Sequence, residues 1–154
     1  MSKQPRWKPL LSGAVGACAL TLLHEAARRK VPDAPRVHRL GMRAITKVLN
    51  FLGKKEPGQD QLFRWALIGD LVSNSLFYSA VGKGDSSTVW QRGAMLGISA
   101  GLGTVALPEP LGLGKEPSNR TPATQVMTVL WYLMGGLVAA GTSRLLTGDA
   151  ANAE

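Results

Sequence analysis

Four long stretches with almost no charge constrain the fold of this chain most strongly. They cover residues 9–27, 62–81, 89–107 and 123–145 of the 154-residue sequence. Each is about as long as the 20-residue helix that crosses the hydrocarbon core of a bilayer. The last is the clearest, because residues 123–143 contain no Asp, Glu, Lys or Arg. The pattern predicts an all-α integral membrane protein with four transmembrane helices, forming a single domain over residues 1–154.

The first stretch follows a basic head with Lys3, Arg6 and Lys8, so a cleaved signal peptide is the alternative to a membrane helix. The stretch stays apolar past Cys18 through Leu23, where the apolar part of a signal peptide would already have ended. We therefore expect a retained first helix. Cys18 is the only cysteine in the sequence, which excludes an intrachain disulfide and a cysteine-based metal site.

More than half of the 18 Lys and Arg residues lie between Arg28 and Arg64, which covers the segment between the first two stretches and the start of the second. Apolar residues recur there at steps of three and four, at Val37, Leu40, Ala44, Val48 and Leu52. This spacing predicts a basic amphipathic helix over residues 36–53 that lies in the membrane interface. Its neighbouring face would contact anionic lipid headgroups through Arg36, Arg39, Arg43 and Lys47. The alternative is a helix packed on the end of the bundle with its charges in water.

The distribution of positive charge predicts an orientation. Four spans place loop 28–61 and loop 108–122 on the same side, and that side carries roughly twice as many flanking Lys and Arg residues as the other. The positive-inside rule then places the basic loop 28–61 in the cytoplasm and both termini outside. We expect a bacterial cytoplasmic membrane, with anionic lipids as partners.

Polar residues inside the apolar stretches are the candidates for a functional site. Asp70, Ser73 and Asn74 share one helix face near the middle of the second stretch. A carboxylate at that depth has to face the bundle interior, pair with another group or take up a proton. They would line an ion or substrate pathway, or they would be a hydrogen-bonded contact between helices. His24 and Glu25 form a second candidate cluster at the end of the first stretch, where an ion pair between Glu25 and Arg64 is expected.

Glycines inside the third and fourth stretches predict close helix packing. Gly93, Gly97 and Gly101 form two successive GxxxG steps, and Gly135 and Gly136 lie in the fourth stretch. Such faces let helices approach closely within a bilayer, either in one chain or in a homo-oligomer or larger membrane complex. A weak internal similarity of residues 13–25 to 97–109, and of 67–72 to 133–138, suggests a duplicated two-helix unit.

Several classes of function lack their sequence signals. The chain has no phosphate-binding loop, dinucleotide-binding fingerprint or zinc motif, so no cofactor and no metal are expected. The basic segment has little aromatic interleaving, which argues against nucleic-acid binding. An enzyme is less favoured than a non-enzymatic protein, since no catalytic constellation can be identified.

Three hypotheses about function follow from the sequence. The first is a small oligomeric transporter or channel linked to ions or protons. The second is a membrane scaffold or accessory subunit that docks other helices on its glycine-rich faces. The third, and weakest, is a membrane enzyme that modifies a lipid.

Overall fold

The computed structural model describes residue 5 and residues 7–151, with side chains described up to residue 148. Lys3 and Arg6 of the basic head, and the extreme C-terminus of the predicted domain, lie outside these residues. The described part is helical and contains no strand. Its elements are α1 (Trp7–Ala27), α2 (Val37–Phe51), α3 (Gln59–Ser79), α4 (Val89–Ala106), α5 (Glu116–Asn119) and α6 (Pro122–Ala151), with short 3-10 turns at Ala80–Gly82 and Ser86–Thr88.

Two of the four long apolar helices, α1 over Trp7–Ala27 and α6 over Pro122–Gly148, are long and apolar enough to cross a membrane. Helices α3 and α4 form where the sequence predicts them but are less apolar. α3 contains Asp60, Arg64 and Asp70, and the first turn of α4 contains Gln91 and Arg92. The all-helical fold is therefore confirmed, and two of the four predicted spans are candidates to cross a membrane by their length and composition.

Helix α1 packs between α3 and α6, and α4 packs along α6. The close approach of α1 depends on two glycines. A Cβ atom at Gly16 would lie 2.6 Å from the carbonyl oxygen of Gly135, and one at Gly13 would overlap the α3 backbone at Ser75. Since α1 pairs with α3 and α4 pairs with α6, each half of the suggested repeat is a packed helix pair. The duplication itself stays a prediction.

The glycine face of α4 is covered by α6 of the same chain. Cβ atoms at Gly93 and Gly97 would lie 2.6 Å from the carbonyl oxygen of Gly136 and from the Cα atom of Leu133, respectively. A Cβ atom at Gly101 would lie 2.7 Å from the Cα atom of Val129. The groove is thus filled within the described chain, and it offers no free surface to a helix of a partner protein.

Helix α2 lies at the end of the bundle where α1 ends and α6 begins. Its Val37 and Leu40 are buried, and Gly41 packs against Ala66 of α3. The connection between α4 and α6 lies beside it, because the Arg36 backbone N–H donates to the carbonyl oxygen of Pro117 at 2.7 Å. The two predicted same-side loops therefore do contact each other. At the opposite end, Lys8 Nζ donates to the carbonyl oxygen of Leu146 at 2.7 Å.

Candidate functional site

The polar residues of α3 divide between two environments. Asn74 is buried and its Nδ2 donates to Asp70 Oδ1 at 3.0 Å, so these two side chains form one hydrogen-bonded unit. The i, i+4 spacing places both on the same helix face. Ser73 is more exposed, and its hydroxyl donates to the Asp70 carbonyl oxygen at 3.1 Å. The structure thus keeps the predicted stripe but joins only Asp70 and Asn74 through their side chains.

His24 is buried against α6 rather than held at the surface. Its ring lies 5.1 Å from the ring of Trp131 and 5.8 Å from the ring of Tyr132, between centroids. Within the described residues, His24 Nε2 and Thr21 Oγ1 are buried and take part in no hydrogen bond. Such unpaired buried groups are costly, and they are uncommon unless water or a ligand can reach them.

The expected ion pair between Glu25 and Arg64 does not form. Glu25 Oε2 instead accepts from NH2 of Arg28, the residue just after the end of α1, at 2.7 Å. The i, i+3 spacing brings these side chains together without any tertiary requirement. Arg64 belongs to the exposed residues of α3.

A small cavity brings the two predicted clusters together. It is lined by Thr21, His24, Glu25, His38, Leu67 and Asp70, and its volume is about 10 Å³. That is close to the space of about 10–15 Å³ that one water molecule requires. Since His24 and Thr21 both have unpaired polar atoms, the cavity offers a water molecule the polar partners it needs. His38 was not among the residues that we predicted, because only the docking of α2 onto α1 and α3 brings it here.

A second, large cavity of about 730 Å³ lies between α2, α3, α4 and the loop after α4. Its walls are mostly apolar, and Asp70 is the one charged side chain that lines it. Ser73, Ser99, Thr104 and Tyr132 add hydroxyl groups. The cavity is open between α3 and α4, since these two helices make few contacts.

A third cavity, of about 660 Å³, lies between the end of α1, the outer side of α2 and the start of α3. Its lining includes Arg28, His38, Arg39, Arg43 and Asp60. The three cavities are adjacent, because His38 lines both this basic cavity and the small one, and Asp70 lines both the small and the large one. Titratable side chains therefore line each of the adjacent cavities between the basic end of the bundle and the apolar cavity.

The predicted lipid-contacting cations have different environments. Arg43 NH1 donates to the Leu113 carbonyl oxygen at 2.6 Å, and its NH2 pairs with Glu116 at 3.1 Å. Lys47 Nζ donates to the Leu111 carbonyl oxygen at 2.6 Å. These two side chains therefore hold the loop after α4 against α2. Arg39 is exposed, and Arg36 is partly buried.

Arg92 holds the turn between α3 and α4. Its Nε donates to the Val81 carbonyl oxygen at 3.0 Å and its NH2 to the Asp85 carbonyl oxygen at 2.7 Å. Arg144 is exposed. Across residues 5 and 7–148, no group of three or more His, Cys, Asp or Glu side chains could hold a metal ion.

The stability of the bundle should depend on pH through His38. Burial is the main cause that lowers the pKa of His38, the charge of Arg28 lowers it further, and Glu25 opposes both. The unfolded chain, with a histidine pKa of about 6.5, therefore binds a proton more readily than the folded chain. The contribution of neutral His38 is present above about pH 6.5 and is lost as the pH falls below it.

We expect the thermal stability of the detergent-solubilised protein to fall from about pH 7 to pH 5, and to fall less in His38→Gln. The comparison isolates His38, because the charged and titratable side chains around it are the same in both proteins. These are His24, Glu25, Arg28, Arg36 and Arg39. Equal pH slopes in the two proteins would show that His38 does not contribute.

Comparison of the chain with models of protein families, with curated proteins and with solved structures gave no match.

Proposed function

We propose that the chain is an integral membrane protein in which α1, α3, α4 and α6 all cross the bilayer, and that it transports a monovalent cation in exchange for protons. The basic end of the bundle, with α2, would face the cytoplasm, and the termini would lie outside. Bacterial cytoplasmic membranes, with their anionic lipids, fit the exposed cations of α2.

The distribution of side chains over the surface supports four spans. Apolar residues follow one face of α3 at steps of three and four, and Trp65, Ile68, Val72 and Leu76 are 43%, 60%, 52% and 59% exposed. In water such a continuous apolar face favours aggregation. The interior, by contrast, contains small and polar residues, as helix interfaces in membranes do. The hydropathy averaged over α3 understates how apolar this outer face is, because Asp70 and Asn74 lie away from it.

The other long helices repeat the pattern. Met95, Ile98 and Leu102 are exposed along α4, while its glycines face α6. Leu22 and Val15 are exposed on α1, and Val126, Leu130 and Met134 are exposed on α6. Apolar side chains thus surround the bundle on all four helices, which a bilayer would cover.

The position of Asp70 carries the proposal for transport. This carboxyl group lies on the wall that the small polar cavity shares with the large apolar one. On the polar side, His24 and His38 are groups that can pass protons to and from it. On the apolar side, the carboxylate can bind a cation. Intramembrane acidic residues that face a cavity are typical of proton-linked pathways.

Assembly of several copies is part of this proposal. The large cavity is open between α3 and α4, so a second copy that faces this side would complete a pathway across the bilayer. A scaffold that docks partner helices on its glycine faces has less support, because α6 covers the glycines of α4.

The test measures proton flux into proteoliposomes that contain a pH-sensitive dye, under an imposed pH gradient. Na⁺, K⁺ and an organic cation are supplied in turn on the side of the membrane opposite to the protons. We expect cation-dependent proton flux from the wild type and a reduction of about tenfold or more in Asp70→Asn. Glu109→Gln is the matched control, because Glu109 is an exposed acid that lines none of the three cavities. Elution as a single species in detergent would show that each variant is folded.

Flux that is equal in wild type and folded Asp70→Asn would show that Asp70 is not the coupling group. Absence of flux with every cation, from wild-type protein shown to be folded and inserted, would contradict transport itself.

A further inference from the structure

We propose that the large cavity binds a monovalent organic cation with apolar or aromatic substituents, and that Asp70 is the group that holds its charge. This inference rests on the proposed function and specifies its substrate class.

The chemistry of the lining selects against most other ligands. A volume of about 730 Å³ is within the range of about 300–1,000 Å³ that small-molecule sites occupy. Most of the wall is apolar, with Leu40, Ile45, Leu107 and Leu111 among its residues. A hydrated inorganic ion would lose its water there without gaining enough polar partners. A ligand with a large apolar surface gains from the same wall.

Charge complementarity selects a cation. Asp70 is the one ionisable acid or base among the lining side chains apart from the phenol of Tyr132, so no Lys or Arg competes for it within the cavity. An anion would face an unbalanced carboxylate in apolar surroundings, which is unfavourable. The cations of α2 do not offset this, since Arg43 and Lys47 bond to the backbone of the loop after α4.

The Asp70 carboxylate retains capacity for a ligand. Within the described residues, Oδ1 accepts from Asn74 and Oδ2 takes part in no side-chain hydrogen bond. A carboxylate can accept several bonds, so a cation can approach the second oxygen. Because one carboxyl group holds either a proton or the cation, binding at this place would provide the exchange that the proposed function requires.

Two aromatic rings line the same cavity as Asp70. Phe77 lines the cavity one helical step beyond Ser73, and Tyr132 faces it from α6 beside Asp70, Asn74 and Thr104. Aromatic faces attract cations, most strongly where water is excluded. A quaternary or aromatic cation in this cavity would therefore lie among lining groups that include a carboxylate and two rings.

The experiment is equilibrium binding of tetraphenylphosphonium to the purified full-length protein in detergent, with wild type, Asp70→Asn, Asp70→Glu and Glu109→Gln. We expect saturable binding to the wild type and to Glu109→Gln, a loss of about tenfold or more in affinity in Asp70→Asn, and retention in Asp70→Glu. Tetraphenylborate, which has nearly the same shape and the opposite charge, should not bind saturably. Circular dichroism and gel filtration would establish that each variant is folded.

Equal binding of tetraphenylphosphonium to folded wild type and Asp70→Asn would overturn the proposal, since partition into an apolar surface would explain it. Saturable binding of tetraphenylborate, or no binding of either ion to the wild type, would overturn it as well. Because binding is measured in detergent and transport in vesicles, the two proposals can fail separately: flux of another cation without tetraphenylphosphonium binding would leave transport standing and refute this substrate class.

Discussion

Gly97→Leu should leave little folded bundle. Even a single Cβ atom at Gly97 would lie 2.6 Å from the Cα atom of Leu133 and 2.7 Å from the carbonyl oxygen of Tyr132. Both atoms belong to the backbone of α6, so neither can rotate away, and α4 and α6 would have to separate. We expect Gly97→Ala to cost about 1–3 kcal/mol of unfolding free energy, and the larger leucine to cost more.

The matched control lies on the same helix. Gly103→Ala would place its Cβ atom 3.6 Å from Leu107 Cδ1, which is an ordinary van der Waals contact. Helix propensity alone would favour this alanine by up to about 1 kcal/mol. Unfolding of the purified proteins by sodium dodecyl sulfate, followed by circular dichroism, measures both effects. Similar unfolding curves for Gly97→Ala and the wild type would contradict the packing of α4 on α6.

The second large effect is expected at the outer face of α3. Val72 is 52% exposed and lies near the middle of the predicted span. If α3 crosses a bilayer, Val72→Lys places an ammonium group in hydrocarbon at a cost of about 2.5–3.5 kcal/mol on insertion scales. If α3 were a helix of a water-soluble protein, the same exposed substitution would change stability by about 0.5 kcal/mol or less.

Val31→Lys is the control for this prediction. Val31 is also an exposed valine, at 39%, but it lies in the turn after α1, outside the predicted spans and outside the three cavities. We expect Val72→Lys to reduce the amount of protein that resists alkaline extraction from membranes, and Val31→Lys to leave it close to the wild-type level. Normal insertion of folded Val72→Lys would argue that α3 does not face lipid.

Local patterns predicted the helices and the placement of Asp70 and Asn74 on one face of α3, because both depend on spacing along one helix. The hydrogen bond between these two side chains was not predicted. The apolar periodicity of residues 36–53 likewise predicted α2, whose apolar face covers the large cavity. Glycine spacing in α4 identified the residues of a close contact but not the helix that fills it. A GxxxG face has the same sequence whether its partner is in the same chain or in another one.

Contacts between distant segments were not predictable in this way. Glu25 pairs with Arg28 and not with Arg64, since an i, i+3 partner is available without a tertiary contact. Arg92 holds the turn between α3 and α4, where backbone carbonyl oxygens provide acceptors that no sequence pattern reveals. The place of His38 beside His24 and Asp70 depends on how α2 docks, which is decided by the fold of the whole chain.

The most direct test of a membrane-embedded bundle uses the one cysteine of the chain. Cys18 is exposed on the surface of α1, close to the middle of that helix. A charged, membrane-impermeant maleimide should therefore label it readily if the protein lies in water, and should not reach it if lipid surrounds α1. In open membrane fragments, the reagent should label a Ser86→Cys variant of a Cys18→Ala chain, because Ser86 is exposed in the turn between α3 and α4.

We predict that wild-type Cys18 stays unlabelled in native membranes and becomes labelled once sodium dodecyl sulfate unfolds the protein. Labelling of Cys18 in intact membranes as fast as labelling of the Ser86→Cys control would contradict a membrane-embedded α1, because this helix would then be in contact with water along its outer face.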